Sequence, residues 1–198
     1  MKLLSLGKGK KESFLLLVLR EEEGEPLHLS VTEAEYRALG SPKAGSELDD
    51  GQFSALAAAD EVHRATAAAA RILAFGDNTA AMLSVKLRRR GFSAAAAEAT
   101  ARKMVERGYI REGDLLYRSV LLCARKLWGP RRITDALAAR GFRREEIASV
   151  IDRLVRGGEL DFAASRKKLL EKSGGELSPQ KKKALLYRFG YRVGGEDE

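Results

Sequence analysis

Residues 82–92, M-L-S-V-K-L-R-R-R-G-F, decide how this chain reads. Leu83 and Leu87 stand four apart, on one face of a short helix. Lys86, Arg88, Arg89 and Arg90 crowd the remainder, and Gly91 stops it. The same device returns at 132–142, R-I-T-D-A-L-A-A-R-G-F, and in weaker form at 181–191, K-K-K-A-L-L-Y-R-F-G-Y. The stop glycines are Gly91, Gly141 and Gly190, so their separations are 141 − 91 = 50 and 190 − 141 = 49 residues. A fixed period of this length marks a repeat architecture.

Alignment of the first two copies extends the match. Leu83 and Ile133 lie eight residues before the glycine, Leu87 and Leu137 four before it, and Phe92 and Phe142 directly after it. Gly108 and Gly158 lie 17 beyond it. The third copy keeps Leu186, Gly190 and Tyr191 but is too short for a full last helix, so an incomplete terminal repeat is expected.

Each unit reads as three helices. In the second copy the first helix is expected over 114–128, apolar on most faces and therefore buried, with Gly129-Pro130 breaking it. Pro130 suits the first turn of the second helix, where its missing N–H leaves nothing unmade. The third helix carries Ile147, Val150, Ile151, Leu154 and Val155 at i, i+3, i+4, i+7 and i+8. In the first copy, Asp60 is expected to cap a helix over 61–75. One of Asp77, Asn78 and Thr79 caps the second, and Ser93 caps a third over 94–107 with Ala97, Ala101, Met104 and Val105 inward. In the third copy, Asp161 precedes a helix reaching Glu171, and Pro179 opens the next.

Ahead of the repeats the pattern changes. Phe14 to Arg20 and Leu27 to Val31 read as a hairpin across a polar turn, with Leu3 to Leu6 as a further edge. Thr32 and Glu35 form a capping box for a short helix ended by Gly40-Ser41-Pro42. A polar loop follows over 43–51, and 53–58 reads as a short helix or turn. The fold class expected is mainly α: tandem three-helix, helix-turn-helix-like repeats in an elongated curved array, with a small N-terminal β-hairpin/α subdomain. The expected divisions are 1–59, 60–110, 111–160 and 161–198.

Charge narrows the function. The first 60 residues hold 7 Lys or Arg and 11 Asp or Glu, leaving 29 and 17 for the remainder, so −4 stands against +12. Such a field attracts nucleic acid or an acidic protein groove. The basic residues cluster as Arg88-Arg89-Arg90, Arg131-Arg132, Arg166-Lys167-Lys168 and Lys181-Lys182-Lys183, near the second helix of a unit or its entry. The binding residues expected are Arg88, Arg89, Arg90, Arg131, Arg132, Lys167, Lys168, Lys181, Lys182 and Lys183.

Catalytic and metal chemistry find little to hold. The two histidines, His28 and His63, are 35 apart and lack ligand spacing, and His63 has no carboxylate at i+4. The single cysteine, Cys123, sits in an apolar run and reads as a small buried side chain. Gly7-Lys8-Gly9-Lys10 lacks the phosphate-loop pattern. No enzyme, metal or cofactor is expected. With no apolar run of membrane length, a leader too short in apolar residues for a signal peptide and one cysteine, a cytoplasmic setting is expected. Trp128 and the tyrosines Tyr109, Tyr117, Tyr187 and Tyr191 suit either packing or base stacking.

Several phrases carry a family resemblance: L-S-V-K-L-R-R-R-G-F at 83–92 with its leading leucine, E-R-G-Y-I at 106–110, K-L-W-G-P-R-R-I-T-D-A-L-A-A-R-G-F at 126–142 and G-G-E-L-D-F-A at 157–163. This in-register repetition, from about Asp60 onward, resembles the RecX family of recombinase regulators, and the N-terminal hairpin and L-S-V-T-E-A-E-Y-R-A-L-G resemble the leader of some members. The start of the second unit departs from the family's acidic pair and phenylalanine, reading R-E-G-D-L-L-Y-R. The resemblance implies binding rather than catalysis. Its partners would be RecA and the RecA filament on single-stranded DNA, with recombinase, ATPase and co-protease activity restrained, and so DNA repair, recombination and the SOS response regulated. Some members touch DNA, so weak direct DNA contact is included, and a monomer is expected. The alternative is a helix-turn-helix-like regulator acting directly on DNA. Base-reading side chains would then gather at a helix N-terminus. Here the basic runs sit at the C-terminal end in unit one and at the entry in unit two, which favours phosphate or acidic-surface contact.

Overall fold

The structure, a computed structural model, describes residues 1–9, 14–21, 23–173 and 177–192. Three strands come first: β1 (Lys2–Lys8), β2 (Phe14–Arg20) and β3 (Leu27–Thr32), antiparallel in the order β1-β2-β3. Leu3 pairs with Leu19 and Leu17 with Leu29, which places Leu3, Leu17, Leu19, Leu29 and Val31 together in a buried cluster. A register shift between Leu3 and Ser5 marks a bulge in the edge strand. The hairpin read from the sequence is thus the centre and one edge of a three-stranded sheet. Its apolar residues pack with Tyr36, Leu48 and Leu56.

Helix α1 (Glu33–Ala38) starts with the expected capping box, Thr32 receiving Glu35 N–H while Glu35 receives Thr32 N–H at 2.7 Å. Helix α2 (Asp50–Ala74) corrects the sequence reading. It begins ten residues before Asp60, capped by Asp49 with Gln52 closing a second capping box, and it absorbs the stretch read as a separate element at 53–58. Asp60 does not cap. It lies buried in mid-helix, accepts Ser30 N–H at 2.8 Å from β3, and pairs with Arg64 at 2.7 Å. A buried carboxylate persists where hydrogen bonds replace its water; here they tie helix to sheet. His63, which has no carboxylate at i+4 on its own helix, meets Glu35 of α1 at 2.8 Å and the Phe14 ring edge-on at 4.8 Å. Burial works against ionisation of Glu35, but the hydrogen bonds from His63 and Thr32 outweigh it and hold the carboxyl below its ordinary value.

Seven further helices complete the described residues: α3 (Ala80–Arg88), α4 (Ala94–Glu106), α5 (Glu112–Arg125), α6 (Pro130–Ala138), α7 (Arg144–Arg156), α8 (Phe162–Lys172) and α9 (Pro179–Phe189). Thr79 and Ser93 cap as expected, Asp161 caps the helix it precedes, and Pro130 and Pro179 open their helices. Ser93 also donates its hydroxyl to Glu61 at 2.6 Å, fixing the start of α4 to α2. Helix α5 ends earlier than read, at Arg125, and Leu127 takes a left-handed conformation (φ 60°) rather than continuing to Trp128. Its face is less buried than its composition suggested: Leu122 is exposed and Cys123 half-buried, with burial pushing the thiol pKa up. Val105 and Val155, read as inward, are exposed, because they fall one position past the buried stripes ending at Met104 and Leu154.

The chain divides into two compact units, Met1–Gly76 with Leu83–Met104, and Asp77–Met82 with Val105–Glu198. In the second, Val120, Ile133, Leu137, Ile147 and Leu154 form the main core, and Leu169, Leu186 and Tyr191 a smaller one.

The stop glycines end α3, α6 and α9 in one geometry. Gly91, Gly141 and Gly190 have φ of 89°, 90° and 87°. In each, the aromatic residue after the glycine donates its N–H five residues back, Phe92 to Leu87, Phe142 to Leu137 and Tyr191 to Leu186, at 3.3, 3.3 and 3.0 Å. This closes the last carbonyls of each helix and seats the aromatic residue. The surroundings differ. A Cβ on Gly91 would meet nothing within 4 Å, whereas one on Gly141 would stand 2.5 Å from the Cβ of Ala81. Gly91→Ala should therefore cost only the left-handed strain, about 1–2 kcal/mol, and Gly141→Ala about 1–3 kcal/mol more for the overlap. Urea denaturation of the two variants checks this; equal losses would contradict it.

Candidate binding surface

The second helix of one repeat begins on the end of the second helix of the next. At the first such junction Thr79 uses its hydroxyl twice, accepting Met82 N–H at 3.1 Å and donating to Arg140 C=O at 2.6 Å, while Ala81 abuts Gly141. Ala80 N–H donates to Glu112 at 2.8 Å. At the second junction Gly129 N–H donates to Phe189 C=O at 2.7 Å and Arg131 N–H to Gly190 C=O at 3.3 Å. A Cβ on Gly129 would fall 2.7 Å from the Gly190 backbone, so the break at Gly129-Pro130 is required by close approach as well as by helix geometry.

Arg131 and Arg132 sit at the first turn of α6, an unfavourable place for cations on their own helix. The second junction reverses that. Arg131 donates to Tyr187 C=O at 2.8 Å and Arg132 to Arg188 C=O at 3.1 Å, so both charges lie at the carbonyl end of α9. Arg131 stacks on the Tyr187 ring at 3.8 Å, and Arg132 lies 4.3 Å over Trp128 and 5.3 Å from Phe189. Trp128 and Phe189 are half-buried and Tyr191 is buried, its hydroxyl donating to Leu127 C=O at 3.2 Å. These aromatic residues pack the junction, whereas Tyr187 and Tyr109 remain exposed.

The ten sequence-predicted binding residues fall into two groups. Arg88, Arg89 and Arg90 belong to the first compact unit and are exposed at the end of α3, Arg90 reaching Ala68 C=O at 3.5 Å. The other seven belong to the second. Lys167 and Lys168 are exposed on α8, and Lys181, Lys182 and Lys183 on the first turns of α9. Arg131 is exposed and Arg132 half-buried in the clamp just described. Beside Arg131 an open groove of about 720 Å³ brings in Arg144, Arg166 and Arg192, which the binding set omitted. Their sequence separations give no hint of this, since they come from α7, α8 and the turn after α9. Arg166 alone had a signal, its place in the 166–168 cluster.

Taken by class, the chain is a tandem three-helix-repeat protein behind a small antiparallel sheet, with basic, arginine-rich surfaces. Among the described residues no helix is long and apolar enough to cross a membrane, and no group of three or more His, Cys, Asp or Glu is placed to hold a metal ion. That fold is the fold of RecX. A crystal structure titled regulatory protein RecX superposes with a TM-score of 0.68 at 20% identity, covering 96% of this chain and 94% of that one. A crystal structure of RecX from Lactobacillus salivarius aligns at a TM-score of 0.45 and 14% identity, over 66% of this chain and 97% of that one. No family model and no curated protein matches the sequence.

The clamp makes a prediction. Arg131→Glu/Arg132→Glu should lower stability by about 1–3 kcal/mol through lost stacking and lost bonds to carbonyls. Lys182→Glu/Lys183→Glu, on an exposed turn, should stay within about 0.5 kcal/mol of the parent. Thermal melting followed by the fluorescence of the single tryptophan, Trp128, reports both. An unchanged melt in the arginine variant would contradict the clamp.

Proposed function

We propose that this protein is a regulator of the RecA recombinase, binding RecA and its filament on single-stranded DNA and restraining strand exchange, ATP hydrolysis and co-protease activity. The observation that carries the reading is the RecX fold over 96% of the chain at a TM-score of 0.68. The basic surface supports it: Arg88, Arg89 and Arg90, Lys167 and Lys168, and Lys181 to Lys183 are all exposed, and a cationic surface suits an acidic nucleoprotein partner. A repeat protein that touches a polymer at several points gains from effective concentration, so no single contact need be strong. The protein acts by binding rather than catalysis, and in the cytoplasm, where such filaments form.

The competing reading, a helix-turn-helix regulator of duplex DNA, lays the N-terminal end of a helix into the major groove. Here Thr79 to Ala81 and Gly129 to Arg132, the starts of α3 and α6, are packed against Arg140-Gly141 and Phe189-Gly190. That weighs against base reading by these helices.

Co-sedimentation with RecA filaments assembled on single-stranded DNA tests the proposal. The parent protein should pellet with filaments at concentrations that leave naked single-stranded DNA unbound. Arg89→Glu/Arg90→Glu should weaken filament binding by about tenfold, since charge reversal replaces attraction by repulsion. Equal affinity for filament and naked DNA would contradict the reading, and undiminished binding by the variant would remove this cluster from the site.

A further inference from the structure

The groove at the second junction has a composition that the first junction lacks. Its lining includes Arg131, Arg144, Arg166 and Arg192 and no carboxylate, and the remainder, the apolar floor, is largely Pro130, Phe162, Ala163 and Tyr191. The repeat supplies an internal comparison. Fifty residues earlier, Pro130, Arg131, Phe162 and Arg166 correspond to Ala80, Ala81, Glu112 and Leu116. There Glu112 turns its carboxylate onto Ala80 N–H at 2.8 Å, so the chain closes its own helix end. In the second copy Phe162 replaces that glutamate, proline removes the N–H, and arginines replace Ala81 and Leu116. One repeat fills this place with its own carboxylate; the next has removed the carboxylate and gathered guanidinium groups round an apolar floor.

We propose that the groove between α6, α8 and the end of α9 binds an acidic peptide segment of a partner protein, with an apolar side chain seated on Phe162 and Ala163 and flanking carboxylates held by Arg144, Arg192 and Arg131. The guanidinium fork matches a carboxylate in two-point geometry. Arg131 uses one donor on Tyr187 C=O and carries others. Arg144 pairs with Asp135 at 3.0 Å, but both side chains are more than half exposed, and such a pair yields readily to a better-placed carboxylate. The floor argues against single-stranded nucleic acid, which needs exposed rings on which bases stack. Tyr191 is buried, with its hydroxyl committed to Leu127, and Phe162 is half-buried in the core. This goes beyond the recombinase reading and does not depend on it, because the test uses this chain alone.

Fluorescence anisotropy with a fluorescein-labelled peptide, Asp-Asp-Glu-Phe-Glu-Asp-Asp, reads the groove directly. The expected result is saturable binding that weakens about tenfold or more when every carboxylate becomes an amide, and that also weakens when the phenylalanine becomes alanine. Arg144→Ala/Arg192→Ala, which removes exposed charge and one surface ion pair, with Asp135, should weaken it by a similar factor with circular dichroism unchanged, while Arg125→Ala on α5 should not. Ala163→Trp, filling the floor, should abolish it. Equal binding of the amide peptide, or undiminished binding by both groove variants, overturns the proposal. Binding of oligothymidylate that Ala163→Trp abolishes, without peptide binding, reassigns the groove to nucleic acid. Peptide binding that appears only when residues 193–198, with their own Glu196-Asp197-Glu198, are removed overturns the external partner in favour of the chain's own acidic end.

Discussion

The start of one second helix seated on the glycine-capped end of the next is the interaction on which the repeat part of this protein depends. Helix ends leave N–H groups unpaired at one terminus and carbonyls at the other, and the aligned peptide dipoles give those ends opposite partial charge. The junctions place one kind of end on the other. Each needs a residue without Cβ in left-handed conformation at the receiving end, and Gly141 and Gly190 supply it. It also needs a close-fitting entry, supplied by Thr79 and Ala81 in one copy and by Gly129 and Pro130 in the other. The first junction explains a detail of the chain's division, because residues Asp77–Met82 group with the second compact unit, where their partners Arg140 and Gly141 lie.

The two junctions solve one electrostatic problem differently. In the first, the Thr79 hydroxyl and the Glu112 carboxylate accept N–H groups of the incoming helix start. In the second, Arg131 and Arg132 stretch past their own helix to the carbonyls of α9 and stack on Tyr187 and Trp128. A cationic pair can therefore stabilise the fold and still present an outer face to a partner. This is a reason for Arg131 and Arg132 to stand at the entry of α6, and it means that charge reversal at 131–132 reads out folding and binding together. The lysines of α8 and α9 and the arginines ending α3 are exposed, so changes there report on the surface more cleanly.

Much of this was legible in the sequence because it rests on local rules. Left-handed glycines, Ser and Thr caps, prolines at helix starts and apolar runs of strand length each leave a signature within a few positions. The three-helix units and the resemblance to RecX followed from those signatures in register. What stayed hidden was non-local. Asp60 looks like a cap, since aspartate before an apolar stretch is the usual signal, yet its partner is Ser30 on a strand thirty residues away and the true cap is Asp49. His63 looks unpaired until the fold brings Glu35 to it. Arg131 and Arg132 look like a free binding patch, because the carbonyls they engage and the rings of Tyr187 and Phe189 lie more than fifty residues on. Arg144, Arg166 and Arg192 converge only through the junction, so no spacing rule could gather them. Val105 and Val155 show the opposite limit: periodicity placed them inward, and the buried stripe stops one residue short.

The most direct test of the central claim is RecA ATP hydrolysis on single-stranded DNA, with this protein titrated well below the RecA concentration. The account predicts loss of hydrolysis at sub-stoichiometric ratios, because a protein lodged on a filament blocks more than the subunits it touches. No inhibition, or inhibition only at concentrations that coat the DNA, would contradict it and leave the basic surface as a general nucleic-acid binder.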